Sequence, residues 1–264
     1  MIKIIVTGAT GKMGMAVIKC ALESKTFEIA GLVEMKSHPQ IGKPSSIMAG
    51  TVADPPSIED DLEKVIANGD VVIDFTEAKA SLDHFRTAKQ HGKAHVIGTT
   101  GLGDVDLTEM RRTQGVRAVI SPNMSIGMNV LFDVANKVAG VLEEGYDVEI
   151  VEMHHRWKKD APSGSALRLK DAVRAARPDR NWVEIFGREG ITGERSPDQI
   201  GVMSLRGGDV VGEHTVFFAG MGERLEFTHR AFSRDNFARG ALLAAQWLIR
   251  QPYGIYSMKD VLGL

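Results

Sequence analysis

The 264-residue chain sets Lys+Arg 32 against Asp+Glu 34, a formal net charge of -2, with 43% hydrophobic and 25% charged residues. These figures exclude disordered, collagen-like and coiled-coil chains and leave enough apolar residues for one large domain or two smaller ones. A near-neutral chain also lacks the broad positive field of a nucleic-acid binder.

The single cysteine, Cys20, excludes an internal disulfide, so nothing points to an oxidising compartment and the cytoplasm is the expected location. No apolar run approaches the ~20 residues of a membrane span. Residues 2–7 (IKIIVT) read as a buried strand, nearly continuous in apolar side chains as a doubly covered strand is. Residues 12–24 carry Met13, Val17 and Ala21 at helical spacing, with Cys20 on the apolar side as a small hydrophobe. A strand follows at 28–33, and the Pro/Gly/Ser-rich segment 36–56 reads as loop with a short strand at 50–53. The alternation continues as helix 58–67, strand 71–75, helix 80–91, strand 94–97, helix 107–113 and strand 118–121. Strands separated by helices imply right-handed crossovers and a parallel sheet.

The pattern then changes. An amphipathic helix at 128–142 leads to a strand at 146–153 and a helix at 164–176. Strand-like segments at 182–187, 202–206, 213–219 and 224–230 follow without intervening helices, and a helix at 237–249 closes the chain. The predicted class is α/β, a Rossmann-type parallel-sheet dinucleotide-binding domain plus a second α+β domain with a mixed or antiparallel sheet.

The glycine content, 28 residues, exceeds the usual ~7%, and three of the glycines mark the first candidate site. Gly8, Gly11 and Gly14 lie in TGATGKMG between strand and helix. There the first permits a tight turn, the second close approach to a pyrophosphate, and the third helix–strand packing. The helix start offers its amides to phosphates. Glu34 ends the second strand, where a carboxylate accepts hydrogen bonds from ribose hydroxyls. Two further turns, GTTG at 98–101 and SPNMS at 121–125, stand at carboxyl ends of predicted parallel strands, where such sheets bind ligands.

The second candidate site is EMHHRWKKDAPSGSA at 152–166. It combines two histidines and several cations with a helix start suited to a carboxylate, and a histidine there can exchange a proton near neutrality. The adjacent His154 and His155 do not share a helix face, and Cys20 has no thiol partner, so no metal is expected.

Across essentially its whole length the chain resembles the dihydrodipicolinate (4-hydroxy-tetrahydrodipicolinate) reductase family of the diaminopimelate route to lysine. The resemblance is carried by GATGKMG, VVIDFT, GKAHVIGTTG, SPNMSIGMN, HHRWKKDAPSGSA, GREGITGER, RGGDVVGEHTVFFAG and FARGALLAAQWL. It implies a dinucleotide-binding domain formed by 1–125 and 235–264, a substrate-binding and oligomerisation domain at 126–234, and a homotetramer. It implies reduction of the cyclic dicarboxylate by NADH or NADPH after loss of water. By that match His154 and Lys158 are catalytic, with Lys158 the proton donor, and His155, Gly164 and Ser165 hold the substrate carboxylates. The cofactor would lie on Gly8, Ala9, Thr10, Gly11, Lys12, Met13, Glu34, Gly98, Thr99, Thr100, Ser121, Pro122, Asn123 and Met124.

Three positions depart from the family pattern. Ser165 stands for threonine and keeps the hydroxyl, while Lys12 stands for arginine and keeps the charge but not the planar fork. Met35 replaces the arginine that grips the additional phosphate of NADPH. NADH is therefore expected to serve at least as well as NADPH. The rival readings are a reductase of the same plan for another imine or keto dicarboxylate, and a non-catalytic dinucleotide-binding homologue.

Overall fold

Strand β1 (Ile2–Thr7) buries Ile4 and Val6 towards one face of its sheet and Ile5 towards the other, so helices must cover both. This is seen in a computed structural model that describes residues 1–264 except 49, 51, 143 and 144. After β1 come α1 (Lys12–Leu22), β2 (Phe27–Val33), β3 (Ile58–Glu59), β4 (Val71–Asp74), α2 (Ala78–Gln90), β5 (Ala94–Ile97), α3 (Asp104–Arg112) and β6 (Arg117–Ile120). The chain continues with α4 (Ile126–Val141), β7 (Asp147–His154), α5 (Gly164–Ala176), β8 (Val183–Ile185), β9 (Gln199–Arg206), β10 (Gly212–Gly220) and β11 (Glu223–Ala231). It ends with α6 (Asp235–Leu248), β12 (Gly254–Tyr256) and α7 (Met258–Leu262).

Two compact units result, Met1–Ile126 with Arg234–Leu264, and Gly127–Ser233. The first holds a seven-stranded sheet in the order β12-β6-β5-β4-β1-β2-β3, with every pairing parallel. Both chain ends belong to it because α6 packs Ala241, Ala244, Ala245 and Leu248 into the cluster that holds Val17 and Ile18 of α1. Cys20 sits in the same cluster at 2% exposure, and burial pushes its thiol up.

The second unit holds a mixed sheet in the order β11-β10-β7-β9-β8. Strand β10 pairs antiparallel with β7 and β11, while β9 runs parallel to β7 and β8. Helices α4 and α5 cover one face, where Leu131, Ala135, Leu169 and Val173 meet Val148, Ile150, Val202 and Val216. No helix among the described residues is long and apolar enough to cross a membrane.

Three sequence expectations need correction. The predicted helix at 58–67 is instead β3 followed by 3-10 turns at Leu62–Lys64 and Ile66–Asn68. Leu62, Val65 and Ile66 do turn inwards at helical spacing, but short turns satisfy that pattern equally, and Asp61 caps the first by accepting from Glu63 N–H at 3.0 Å. Around the strand expected at 50–53, Gly50, Val52 and Ala53 lie in turn and bend, and residue 51 is outside the described residues. The chain also continues beyond α6, because β12 extends the sheet beside β6; three residues are too few for a readable alternation.

Candidate functional site

Because all seven strands of the first unit run the same way, their carboxyl ends share one edge. The order reverses between β1 and β4, the position at which such sheets open a crevice. A groove of about 710 Å³ at the end of β1 is lined by Gly8, Thr10, Gly11 and Glu34 together with Met35 and His38. Gly8 takes φ 66°, which favours glycine. A Cβ at Gly14 would collide with the Gly8 carbonyl oxygen and lie 2.9 Å from the Ala9 Cα. The turn therefore lies against the first turn of α1, where the amides of Lys12 and Met13 have no intrahelical acceptor. That arrangement fits a pyrophosphate.

The remaining turn residues divide. Ala9 faces the core at 3% exposure and gives its N–H to the Val33 carbonyl at 3.1 Å, and the Met13 side chain packs on the same core. Lys12 is exposed. Glu34 accepts from Thr10 N–H at 3.1 Å, from Thr10 Oγ1 at 2.6 Å and from Met35 N–H at 2.8 Å. Burial alone would raise its pKa, but the Thr10 and Met35 bonds outweigh that and hold the carboxylate below its ordinary value. His38 Nε2 lies 3.3 Å from Thr10 Oγ1, a neighbour the sequence reading missed.

Asp74 was also missed. It is fully buried at the end of β4, and it accepts from Thr76 N–H at 2.8 Å, from Thr76 Oγ1 at 2.6 Å and from Thr99 Oγ1 at 3.3 Å. The His84 Nδ1 lies 2.8 Å from its other oxygen. Burial opposes ionisation, but the His84 and His95 contacts hold the carboxyl well below its usual range. Asp74 thus anchors the turns around Thr76 and Thr99; Gly98 and Thr99 are buried, and Thr100 is exposed. In the last turn Ser121 and Met124 are buried, so Pro122 and Asn123 are the more accessible pair. Asn123 accepts from Ser121 Oγ at its carbonyl (2.8 Å) and from Ser125 N–H at its side chain (2.9 Å).

The second unit builds its site on a sheet face. Even-numbered residues of β7 point towards the helices, so Glu152 and His154 continue the face that holds Val148 and Ile150. Pairing places Ser204, Glu152, His214 and His229 in one cross-strand row. Glu152 is fully buried. It accepts two bonds from Arg206, each 2.8 Å, and one from Ser163 N–H at 3.1 Å, and its Oε2 lies 2.6 Å from His154 Nδ1. Burial opposes its ionisation; the His154 and Arg206 contacts override that and hold it far below the carboxylate range. His214 is 4% exposed, and burial, helped by the nearby His154, pushes it down to about 3.

The loop 155–163 brings the other predicted residues to the same end of this unit. Lys158 donates to both oxygens of Asp160, at 2.8 and 2.9 Å, so its nearest charged partner is an anion inside the motif. His155 lies beside Trp157, with ring centres 5.7 Å apart. Ser163 caps α5 by accepting from Ala166 N–H at 3.2 Å, which leaves Gly164 and Ser165 in the first turn of a 13-residue helix. The two clusters predicted from sequence thus lie in different units. The dinucleotide set lies in the first, and His154, His155, Lys158, Gly164 and Ser165 lie in the second.

Residues 2–124 match the family described as dihydrodipicolinate reductase, N-terminus, and residues 127–262 match its C-terminus. The chain is 48% identical over 265 residues to a 4-hydroxy-tetrahydrodipicolinate reductase of Syntrophus aciditrophicus, covering 100% of this chain and 99% of that one. It is 47% identical over 266 residues to the enzyme of the same name from Pelobacter propionicus, covering 100% of both chains. Among solved structures, a dipicolinate-bound dihydrodipicolinate reductase from Paenisporosarcina sp. TG-14 shares the fold at TM-score 0.77 and 24% identity, covering 99% of this chain and 100% of that one.

Proposed function

The chain belongs to the dihydrodipicolinate reductase family, and from that premise we propose how its residues divide the reduction of 4-hydroxy-tetrahydrodipicolinate, by way of dihydrodipicolinate, to tetrahydrodipicolinate. NAD(P)H, when bound, supplies the hydride taken up by the ring carbon that carried the hydroxyl group. Gly8, Thr10, Gly11 and the amides of Lys12 and Met13 hold its pyrophosphate, and Glu34 holds the adenosine ribose. Gly98, Thr99, Thr100 and the turn of Ser121, Pro122, Asn123 and Met124 complete the cofactor set.

In the second unit His155 and the first-turn groups Gly164 and Ser165 grip the two carboxylates of the substrate. His154 and Lys158 handle protons. The Lys158 ammonium has three N–H groups and donates twice to Asp160, which leaves donor capacity for the carbon next to the site of reduction. That carbon gains carbanion character as the hydride arrives, so a positioned acid lowers the barrier. The observation that carries this reading is the single connection 155–163, which presents His155, Lys158 and the start of α5 directly after the carboxyl end of β7.

NADH is the cofactor used at least as well as NADPH. Glu34 is ionised, Met35 brings no charge, and Asp60, Asp61, Glu77 and Asp83 add carboxylates to the same groove. A 2′-phosphate entering there meets like charge. A homotetramer is supported by the resemblance and by the second unit's sheet, whose edge strand β11 is largely exposed and whose helix-free face carries the exposed Leu205. A cytoplasmic location goes with the route to lysine.

The test is an assay on the condensation product of pyruvate and aspartate semialdehyde, following absorbance of each reduced cofactor. Rapid oxidation of NADH supports the reading. Silence with both cofactors redirects it to another imine or keto dicarboxylate, and a ten-fold preference for NADPH overturns the cofactor assignment.

A further inference from the structure

We propose that Glu152 and Arg206 form a positioning pair that fixes His154 in one tautomer and anchors the loop carrying Lys158. The proposal rests on the reading of His154 as a proton-handling group and adds what holds it ready.

The geometry leaves little choice of tautomer. Glu152 is fully buried and stays ionised, so it can only accept. His154 Nδ1, 2.6 Å from its Oε2, therefore carries the hydrogen. Nε2 becomes the working atom, able to take a proton or give one back. A carboxylate behind a functional imidazole fixes both ring orientation and tautomer. The position opposite His154 on β10 is Gly212, where a Cβ would stand 3.0 Å from His154 Nε2, so the sheet keeps the approach to that nitrogen clear of side-chain bulk.

Arg206 makes the buried carboxylate tolerable. It meets both Glu152 oxygens at 2.8 Å, the two-pronged pairing that only a guanidinium gives. The same group reaches the Asp160 carbonyl at 2.7 Å, while Ser163 N–H closes on Glu152 Oε1 at 3.1 Å. Backbone bonds from Gly207 N–H to the His154 carbonyl (3.0 Å) and from Arg156 N–H to the Gly208 carbonyl (3.1 Å) tie the strand ends together. One buried carboxylate thus connects the histidine, the loop backbone and the start of α5.

The charged and titratable groups around His154 are Glu152 on its own strand, Arg206 on β9 and His214 on β10, with Lys158 on the loop and His229 on β11 acting on His214. Arg206 and Glu152 cancel to first order. Removing the Glu152 charge leaves Arg206 uncompensated beside the imidazole, which disfavours imidazolium.

The experiment uses the full-length enzyme and nitrogen-15 histidine NMR. In the wild type the neutral His154 ring is expected to show the Nδ1–H tautomer, and a dominant Nε2–H tautomer overturns the proposal without any variant. Glu152→Gln is expected to lower kcat by about 10–100-fold, leave KM for NADH within about twofold, and move the alkaline limb of the kcat profile to lower pH. His154→Gln and the double variant complete a cycle. If Glu152 acts through His154, Glu152→Gln costs clearly less in the His154→Gln background, the remainder being its hold on the Lys158 loop. Equal losses in both backgrounds overturn the positioning role. Wild-type turnover in His154→Gln instead overturns the underlying reading of His154.

Discussion

The two units build their sites from different material. In the first, the turn works through backbone: Gly8 supplies a positive φ, Gly14 supplies close approach, and Ala9 and Met13 send their side chains into the core. In the second, the site is a polar extension of a hydrophobic strand face, where Glu152, His154, Arg206 and His214 replace the valines and isoleucines of the preceding rows. A backbone site is vulnerable to added atoms, whereas a side-chain site is vulnerable to lost charge. A nucleotide is gripped through repeating phosphate and ribose, which amides serve well. Proton transfer needs titratable groups at set positions.

The sharpest way to break that contrast is to remove a charge from the second unit and ask whether the first notices. Lys158→Ala is expected to lower kcat by about 10²–10⁴-fold, the usual contribution of a positioned acid. NADH affinity, read by fluorescence titration, should stay within about twofold, because Lys158 and the dinucleotide groove lie in different units. Unchanged turnover would remove Lys158 from the mechanism. The mirror experiment adds one atom to the first unit. Gly14→Ala puts a Cβ against the Gly8 carbonyl, an overpacking that costs about 1–3 kcal/mol. Thermal unfolding should fall accordingly, and the dissociation constant for NADH should rise about 5–150-fold if the turn yields instead. An unaltered melting point and NADH affinity together would mean that the turn is not the phosphate site.

The same contrast explains what was legible in the sequence. A glycine turn between strand and helix is local, with its geometry written into consecutive residues, so Gly8, Gly11, Gly14 and Glu34 could be placed in advance. So could the polar run at 152–166, because cations and histidines crowd one loop. Arg206 and His214 could not, since they join Glu152 only through the register of β9 and β10, more than fifty positions away in sequence. Asp74 was visible as the last residue of VVID, but its role depends on Thr99 and His84 arriving from other elements. Short segments such as β3 and β12 defeat pattern reading because two or three residues carry no period.

Buried histidine sharpens the comparison through pH. His214 is held neutral, with a folded value of about 3 against about 6.5 for an exposed histidine. A depressed histidine contributes stability that is complete above the unfolded value and is lost as pH falls towards the folded one. Each such group removes about 1.4 kcal/mol per pH unit below ~6.5. His95 and His229 are depressed by burial in the same direction and add to the slope. Glu152 and Asp74, also depressed, lose their contribution only below the ordinary carboxylate range, so the window between pH 6.5 and 5 belongs to the histidines. Urea midpoints measured across that window should fall with acidity. His214→Gln should flatten the slope by about one proton, and a slope unaltered by the substitution would show that His214 is not held neutral in the fold.

The smallest expected effect concerns the acidic end of the dinucleotide groove. Glu34 already accepts three bonds from Thr10 and Met35. A carboxylate has about four lone-pair positions, so one remains for a ribose hydroxyl, and a 2′-phosphate would replace that donor with an anion. Glu34→Gln keeps the shape and the acceptor and removes the charge. It should shift the ratio of kcat/KM values towards NADPH by about fivefold, or ~1 kcal/mol, as suits a partly exposed pair of charges. The wild-type preference and this shift must agree in sign. A variant that loses NADH without gaining NADPH would mean that Glu34 matters for the turn it braces through Thr10 and not for the phosphate it repels.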